Sequence, residues 1–174
     1  MFRRIIVCSG LLTQFLWSNA IAQTYVSGYV SGEWISDYSP YIVTDTIKVH
    51  GDSALYIDPG VEIVFSENFT LEVFGTLYAV GTSSDSITFT ALDSITGFGG
   101  VIFNEAGDNN ALSYCIFEHA LTSKATVYCD FTELTLTNST IRNNTAQGNQ
   151  NTKSGGYFGW DSQIDISNCV FVNN

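Results

Sequence analysis

Apolar and polar positions alternate with a period of two through most of this chain, and the alternation returns in phrases of similar form. Residues 112–120 read L-S-Y-C-I-F-E-H-A, residues 136–144 read L-T-N-S-T-I-R-N-N, and residues 166–174 read I-S-N-C-V-F-V-N-N. In register, Leu112, Leu136 and Ile166 coincide, as do Cys115, Ser139 and Cys169, then Phe117, Ile141 and Phe171, then His119, Asn143 and Asn173. The spacings are 24 and 30 residues. A period of two belongs to strands. Self-similarity at this longer period belongs to repeat units that each cover a neighbour's apolar face. Together they predict an all-β chain, a right-handed parallel β-helix in which each repeat is one coil.

Upstream, Leu55, Leu71 and Ile87 lie sixteen residues apart, which predicts tighter coils at that end. Asp58-Pro59-Gly60 and Gly75 read as corners. Residues 23–50 are expected to form an N-terminal cap, with Trp34, Tyr38 and Tyr41 closing the end of the solenoid, and residues 51–174 to form the coils. The polar, glycine-rich stretch 145–160 reads as an insertion that accounts for the six extra residues of the second spacing. The last phrase ends at Asn174 without a capping element, so the chain is expected to be a fragment, or to need a following C-terminal domain.

The phrases L-Y-I-D-P-G-V-E-I-V-F (55–65), L-E-V-F-G-T-L-Y-A-V-G-T (71–82) and S-I-T-F-T (86–90) resemble the N-terminal coils of secreted β-helix proteins of the pectin-lyase-like architecture. Downstream, Gly155-Gly156-Tyr157-Phe158 and the closing phrase are similar to the G-G-[apolar] and F-x-x-N repeats of chlamydial-type polymorphic outer-membrane proteins. Phe171-x-x-Asn174 matches the second motif in full, Ile141-x-x-Asn144 is a relaxed form, and Phe117-x-x-Ala120 departs from it. The resemblance spans roughly residues 24–174 and implies fold and export. Its motifs mark corners and core positions, so it implies no particular activity.

The first residues agree with export. Arg3 and Arg4 precede an apolar run from Ile5 to Trp17 and the small-x-small site Ala20-Ile21-Ala22, so residues 1–22 read as a cleaved signal peptide. The expected destination is the secreted or cell-surface (outer-membrane-associated) space, with no membrane span after cleavage. Removing this leader takes two basic residues from a chain whose net charge is already −11. Such an acidic surface excludes nucleic acid and anionic lipid as partners. Three cysteines remain (Cys115, Cys129 and Cys169), an odd number that argues against a disulfide framework. No His/Cys spacing suits a metal, and no cofactor is expected.

Candidate chemistry is sparse. The period-two pattern places His119, Asn143 and Asn173 inward, where stacked amides would form a structural ladder. Arg142 lies on the outer face beside Glu118 and Val172 of the neighbouring coils. Family lyases use a basic residue for proton abstraction, and Arg142 alone supplies a weak version of that arrangement. Glycoside hydrolysis requires two converging carboxylates, for which Asp161, Asp165 and Glu118 are the candidates. The stretch Lys153, Tyr157, Trp160 and Asp161 offers aromatic and charged contacts for a binding partner. The expected function is an exported, non-catalytic, adhesin-like scaffold that binds carbohydrate or cell-surface and matrix components. The alternatives are the N-terminal part of a polysaccharide lyase or glycoside hydrolase, and a structural spacer.

Overall fold

The computed structural model describes residues 23–147 and 154–174. The proposed leader and Lys153 lie outside them. The described chain is a parallel β-solenoid of about five turns. No α-helix occurs among the described residues; the one helical piece is a 3-10 turn at Ser36–Tyr38.

Each coil contributes strands to three faces. The first face stacks β2 (Gly32–Trp34), β4 (Ala54–Ile57), β7 (Thr76–Val80), β10 (Asn110–Ser113), β14 (Glu133–Thr137) and β18 (Gln163–Ser167). The second stacks β5 (Glu62–Phe65), β8 (Ile87–Ala91), β11 (Cys115–Glu118), β15 (Thr140–Arg142) and β19 (Val170–Val172). The third stacks β6 (Thr70–Val73), β9 (Gly100–Asn104), β13 (Ala125–Asp130) and β17 (Ser154–Trp160). The second and third faces meet in β3 (Tyr41–Val49), whose first half pairs with β5 and whose second half pairs with β6. A short pair, β12 (Leu121–Thr122) and β16 (Thr145–Ala146), bridges those faces in the later coils. Five of the six extra residues of the 30-residue spacing fall between β16 and β17, and the sixth lies within β17, where its register against β13 shifts.

Repeats set in register by sequence are in register in space. Leu112 pairs with Leu136 and Leu136 with Ile166; Phe117 pairs with Ile141 and Ile141 with Phe171. The sixteen-residue coil is corrected. Leu55 pairs with Leu77 on the first face, whereas Leu71 pairs with Ile47 on the third and Ile87 with Cys115 on the second. Leu55, Leu71 and Ile87 therefore mark three different faces, and the N-terminal coils run 22 to 24 residues.

Residues 23–50 enter these sheets directly. β1 (Thr24–Tyr29) pairs along β3, and β2 begins the first face. Trp34 and Tyr41 are buried and stack with ring centroids 4.4 Å apart, while Tyr38 is exposed. The segment is the first coil itself, with an aromatic pair as its filling.

The core is a set of columns along the axis. Tyr41, Ile63, Phe89, Phe117 and Ile141 are consecutive partners on the second face, and Phe89 and Phe117 stack at 4.7 Å. Ile47, Leu71, Val101 and Val127 form the equivalent inward column of the third. All of these except Tyr41 are fully buried, each contributing about 1.5–3 kcal/mol.

Corners explain why so much of the chain can stay in strand. In the later coils each corner turns on one residue in the left-handed region. These are Tyr114, Asn138 and Asn168 between the first and second faces, His119, Asn143 and Asn173 after the second, and Phe131 and Asp161 after the third. Asparagine tolerates that conformation. A left-handed residue takes up one position without a pleat, so alternation restarts after it. The residue that follows therefore points inward, and its N–H is caught by a side chain of the next coil. Cys115 N donates to Ser139 Oγ (3.0 Å), Ala120 N to Asn144 Oδ1 (2.8 Å), and Ala106 N to Thr132 Oγ1 (3.1 Å). Asn144 N and Thr132 N repeat the bond one coil on, to Asn174 Oδ1 and Ser162 Oγ.

This corrects the inward ladder of His119, Asn143 and Asn173. Asn143 and Asn173 are exposed corner residues, joined by an amide bond of 3.3 Å on the outside. His119 stands apart from them, with Nδ1 3.3 Å from Thr90 Oγ1. The buried amide is Asn144, which also donates to Phe117 O and Asn174 Oδ1.

Candidate functional site

The outward residues of the third face form a column along the axis. Lys48, Glu72, Ile102, Tyr128 and Phe158 are consecutive partners. The column is polar at one end, where Lys48 Nζ sits 2.7 Å from Glu72 Oε2, and aromatic at the other. The Tyr128 and Phe158 rings are parallel to within 6°, with centroids 5.9 Å apart. Lys124 lies 4.3 Å from the Tyr128 ring centroid, within cation–π range. Burial raises the Tyr128 phenol above its ordinary value, with Asp130 and Cys129 adding to the shift, so it stays a neutral donor. Where Ile102 interrupts the wider side chains, a cavity of about 270 Å³ opens between Glu72, Phe74, Asn104 and Lys124.

Trp160 closes the same face. It pairs with Asp130, which pairs with Asn104, and its side chain is 56% exposed. The stretch that reads as an inserted loop is thus, from Ser154 onward, a strand of the third face. Tyr157 is corrected as a contact residue. It pairs with Val127 in the inward column and packs against the core, and its phenol is raised by burial. Its neighbour Phe158 faces out instead. Among the predicted binding residues, Trp160 belongs to the outer face, Asp161 turns the corner beyond it, and Lys153 lies outside the described residues.

Tyr128, Lys124 and Ile102 were not singled out in the sequence. A signal existed: Tyr128 and Phe158 are separated by the same 30 residues as Leu136 and Ile166.

The hydrolytic arrangement does not assemble. Glu118 lies on the second face in an ion pair with Arg142 (2.8 Å), Asp165 on the first, and Asp161 at the corner between third and first. Arg142 is occupied by that carboxylate and is no free base. Among the described residues no group of three His, Cys, Asp or Glu side chains could hold a metal ion. Cys115, Cys129 and Cys169 are free thiols, and burial raises two of them, Cys129 to about 12 and Cys115 further. A neutral buried thiol is a poor nucleophile. What the third face can do is hold a ligand by stacking, by amide and carboxylate hydrogen bonds, and by the Lys124 ammonium beside the aromatic pair. Compared with known protein families, curated proteins and solved structures, the chain finds no match.

Proposed function

We propose that this protein is a non-catalytic binding scaffold that carries an extended ligand, a carbohydrate or a matrix-type chain, along its third face. The observation that supports it most is the outward Tyr128–Phe158 pair, with Lys124 beside it and exposed Trp160 next in the same strand. Aromatic rings held outward in a strand are of no use to the core. They offer apolar contact area at low entropic cost, and neighbouring amides and carboxylates add direction. Stacked strands repeat about every 4.8 Å along the axis, so a linear ligand meets a new outward side chain at each coil. Export through the leader at residues 1–22 and display at the cell surface belong to the same reading, as does kinship with the exported β-helix repeat proteins that the sequence resembles.

The test is a glycan-array and matrix-component binding screen of the full chain beside Trp160→Ala and Phe158→Ala. Circular dichroism must first show that all three proteins are folded and β-rich. Binding by the parent that both variants lose supports the proposal. Binding that persists in both variants, or a folded parent that binds nothing, refutes it and leaves the spacer reading.

A further inference from the structure

The corner between the third and first faces changes length along the solenoid. Two residues turn it after β13 and after β17, but five turn it after β9. The longer loop, residues 105–109, therefore stands out as a wall above two short corners. It is pinned to the preceding coil. Gly107 N donates to Gly75 O, Thr76 Oγ1 donates to Asp108 O (3.1 Å), and the buried Asn110 amide bonds both Leu77 N and Gly107 O. The groove below is thus formed before any ligand arrives.

Two lobes make up this groove, about 240 and about 340 Å³, joined across the register pair Glu133 and Gln163. Thr135 and Asp165 line one, and Asp108, Phe131 and Asp161 line the other. Phe131 is the anomaly. It sits at φ +45°, a conformation that bulky side chains rarely adopt, and is 55% exposed. The other corners of that column carry Glu105 and Asp161. Core packing gives no reason for a phenylalanine there.

The lining decides the ligand class. Carboxylates, amides and a hydroxyl supply many acceptors and no cation, so an anion is repelled and a donor-rich molecule is favoured. A chelated metal is not served, because the described carboxylates form no metal-holding group. An exposed ring beside hydrogen-bond acceptors matches a sugar, with its apolar ring face and rim of hydroxyls. We propose that this groove is a second binding site that takes a neutral hexopyranose, with Phe131 as its platform and Glu133 and Gln163 receiving its hydroxyls. It stands on a different face from the Tyr128–Phe158 column and does not depend on what that column binds.

The test is saturation-transfer NMR on the full chain with methyl β-glucopyranoside, methyl β-galactopyranoside and methyl α-mannopyranoside. The parent for this test carries Phe158→Ala, which takes away the third-face platform; on it are placed Phe131→Asn, which suits the left-handed corner, Glu133→Ala, and the distant corner change Asn143→Gly. The expected result is saturation transfer to at least one hexoside. Affinity should fall about tenfold in each groove variant and stay unchanged in Asn143→Gly. Absence of transfer to all three with the protein folded overturns the proposal. So does an affinity unchanged by Phe131→Asn, or one that falls equally in Asn143→Gly.

Discussion

Asn144 provides the sharpest test of how the coils are joined. Its side chain is 2% exposed and holds three groups at once: it accepts from Ala120 N at 2.8 Å and donates to Phe117 O at 3.1 Å and Asn174 Oδ1 at 3.0 Å. Asn144→Ala leaves the buried Ala120 N–H without an acceptor, at a cost of about 1–3 kcal/mol. It also strips a donor from Phe117 O and opens a small void, so the expected total is about 2–4 kcal/mol. With a urea slope of about 2 kcal/mol/M, the unfolding midpoint should fall by roughly 1–2 M. Amide hydrogen exchange should show the Ala120 N–H losing protection. The control is Asn143→Gly one residue earlier, where glycine keeps the left-handed corner at φ +56° and removes only an exposed side chain. That change should move stability by less than about 0.5 kcal/mol. Equal losses from the two variants would refute the assignment of Asn144 as the inner cap and Asn143 as the outer corner.

Other outcomes follow from the same geometry. Phe89→Ala removes a fully buried ring stacked on Phe117 and should cost about 3–5 kcal/mol by denaturant unfolding. Gly75→Ala should destabilise markedly, since a Cβ there collides with the backbone carbonyls of His50 and Ser53. Cys129 ionises near 12 in the folded protein against an ordinary value of 9.0, and Cys115 is raised further. Their stabilising effect is complete below 9.0 and is lost as pH rises towards about 12, which a pH series of urea midpoints would detect. In thiol labelling at pH 8, half-buried Cys169 should react first, while Cys115 and Cys129 wait for unfolding. Breaking the Glu118–Arg142 pair with Glu118→Gln should cost no more than about 1 kcal/mol, because it lies at the partly exposed surface.

The coils were legible because the repeat phrase keeps its register through Leu112, Leu136 and Ile166, and strands on a shared face must pair at that spacing. The phase after each corner was not legible from alternation alone. Carrying the period of two past Arg142 puts Asn143 inside, whereas the left-handed turn there resets the count and delivers Asn144 instead. The sixteen-residue spacing failed for a related reason. Leu55, Leu71 and Ile87 are equally apolar, and nothing in their side chains says which of three faces each one serves. At the site, the pairing of β13 with β17 shifts register between Ala125 and Val127, which fixes Tyr157 inward and Phe158 outward. A glycine-rich segment carries no sequence mark of such a shift. The exposure of Trp160 follows from its place beside the corner, two residues past outward Phe158 on the same strand. Tyr128 was hidden within an otherwise ordinary strand.

The corner bonds have a direction. At the side-chain caps of the later coils the backbone N–H belongs to an earlier coil and the oxygen that satisfies it belongs to a later one, as from Ala120 to Asn144 or from Thr132 to Ser162. A ribosome delivers the chain in that same order. Each coil therefore emerges with its corners unsealed and is locked only when its successor arrives. Growth of the solenoid works as a ratchet, in which every newly made turn closes the one before it.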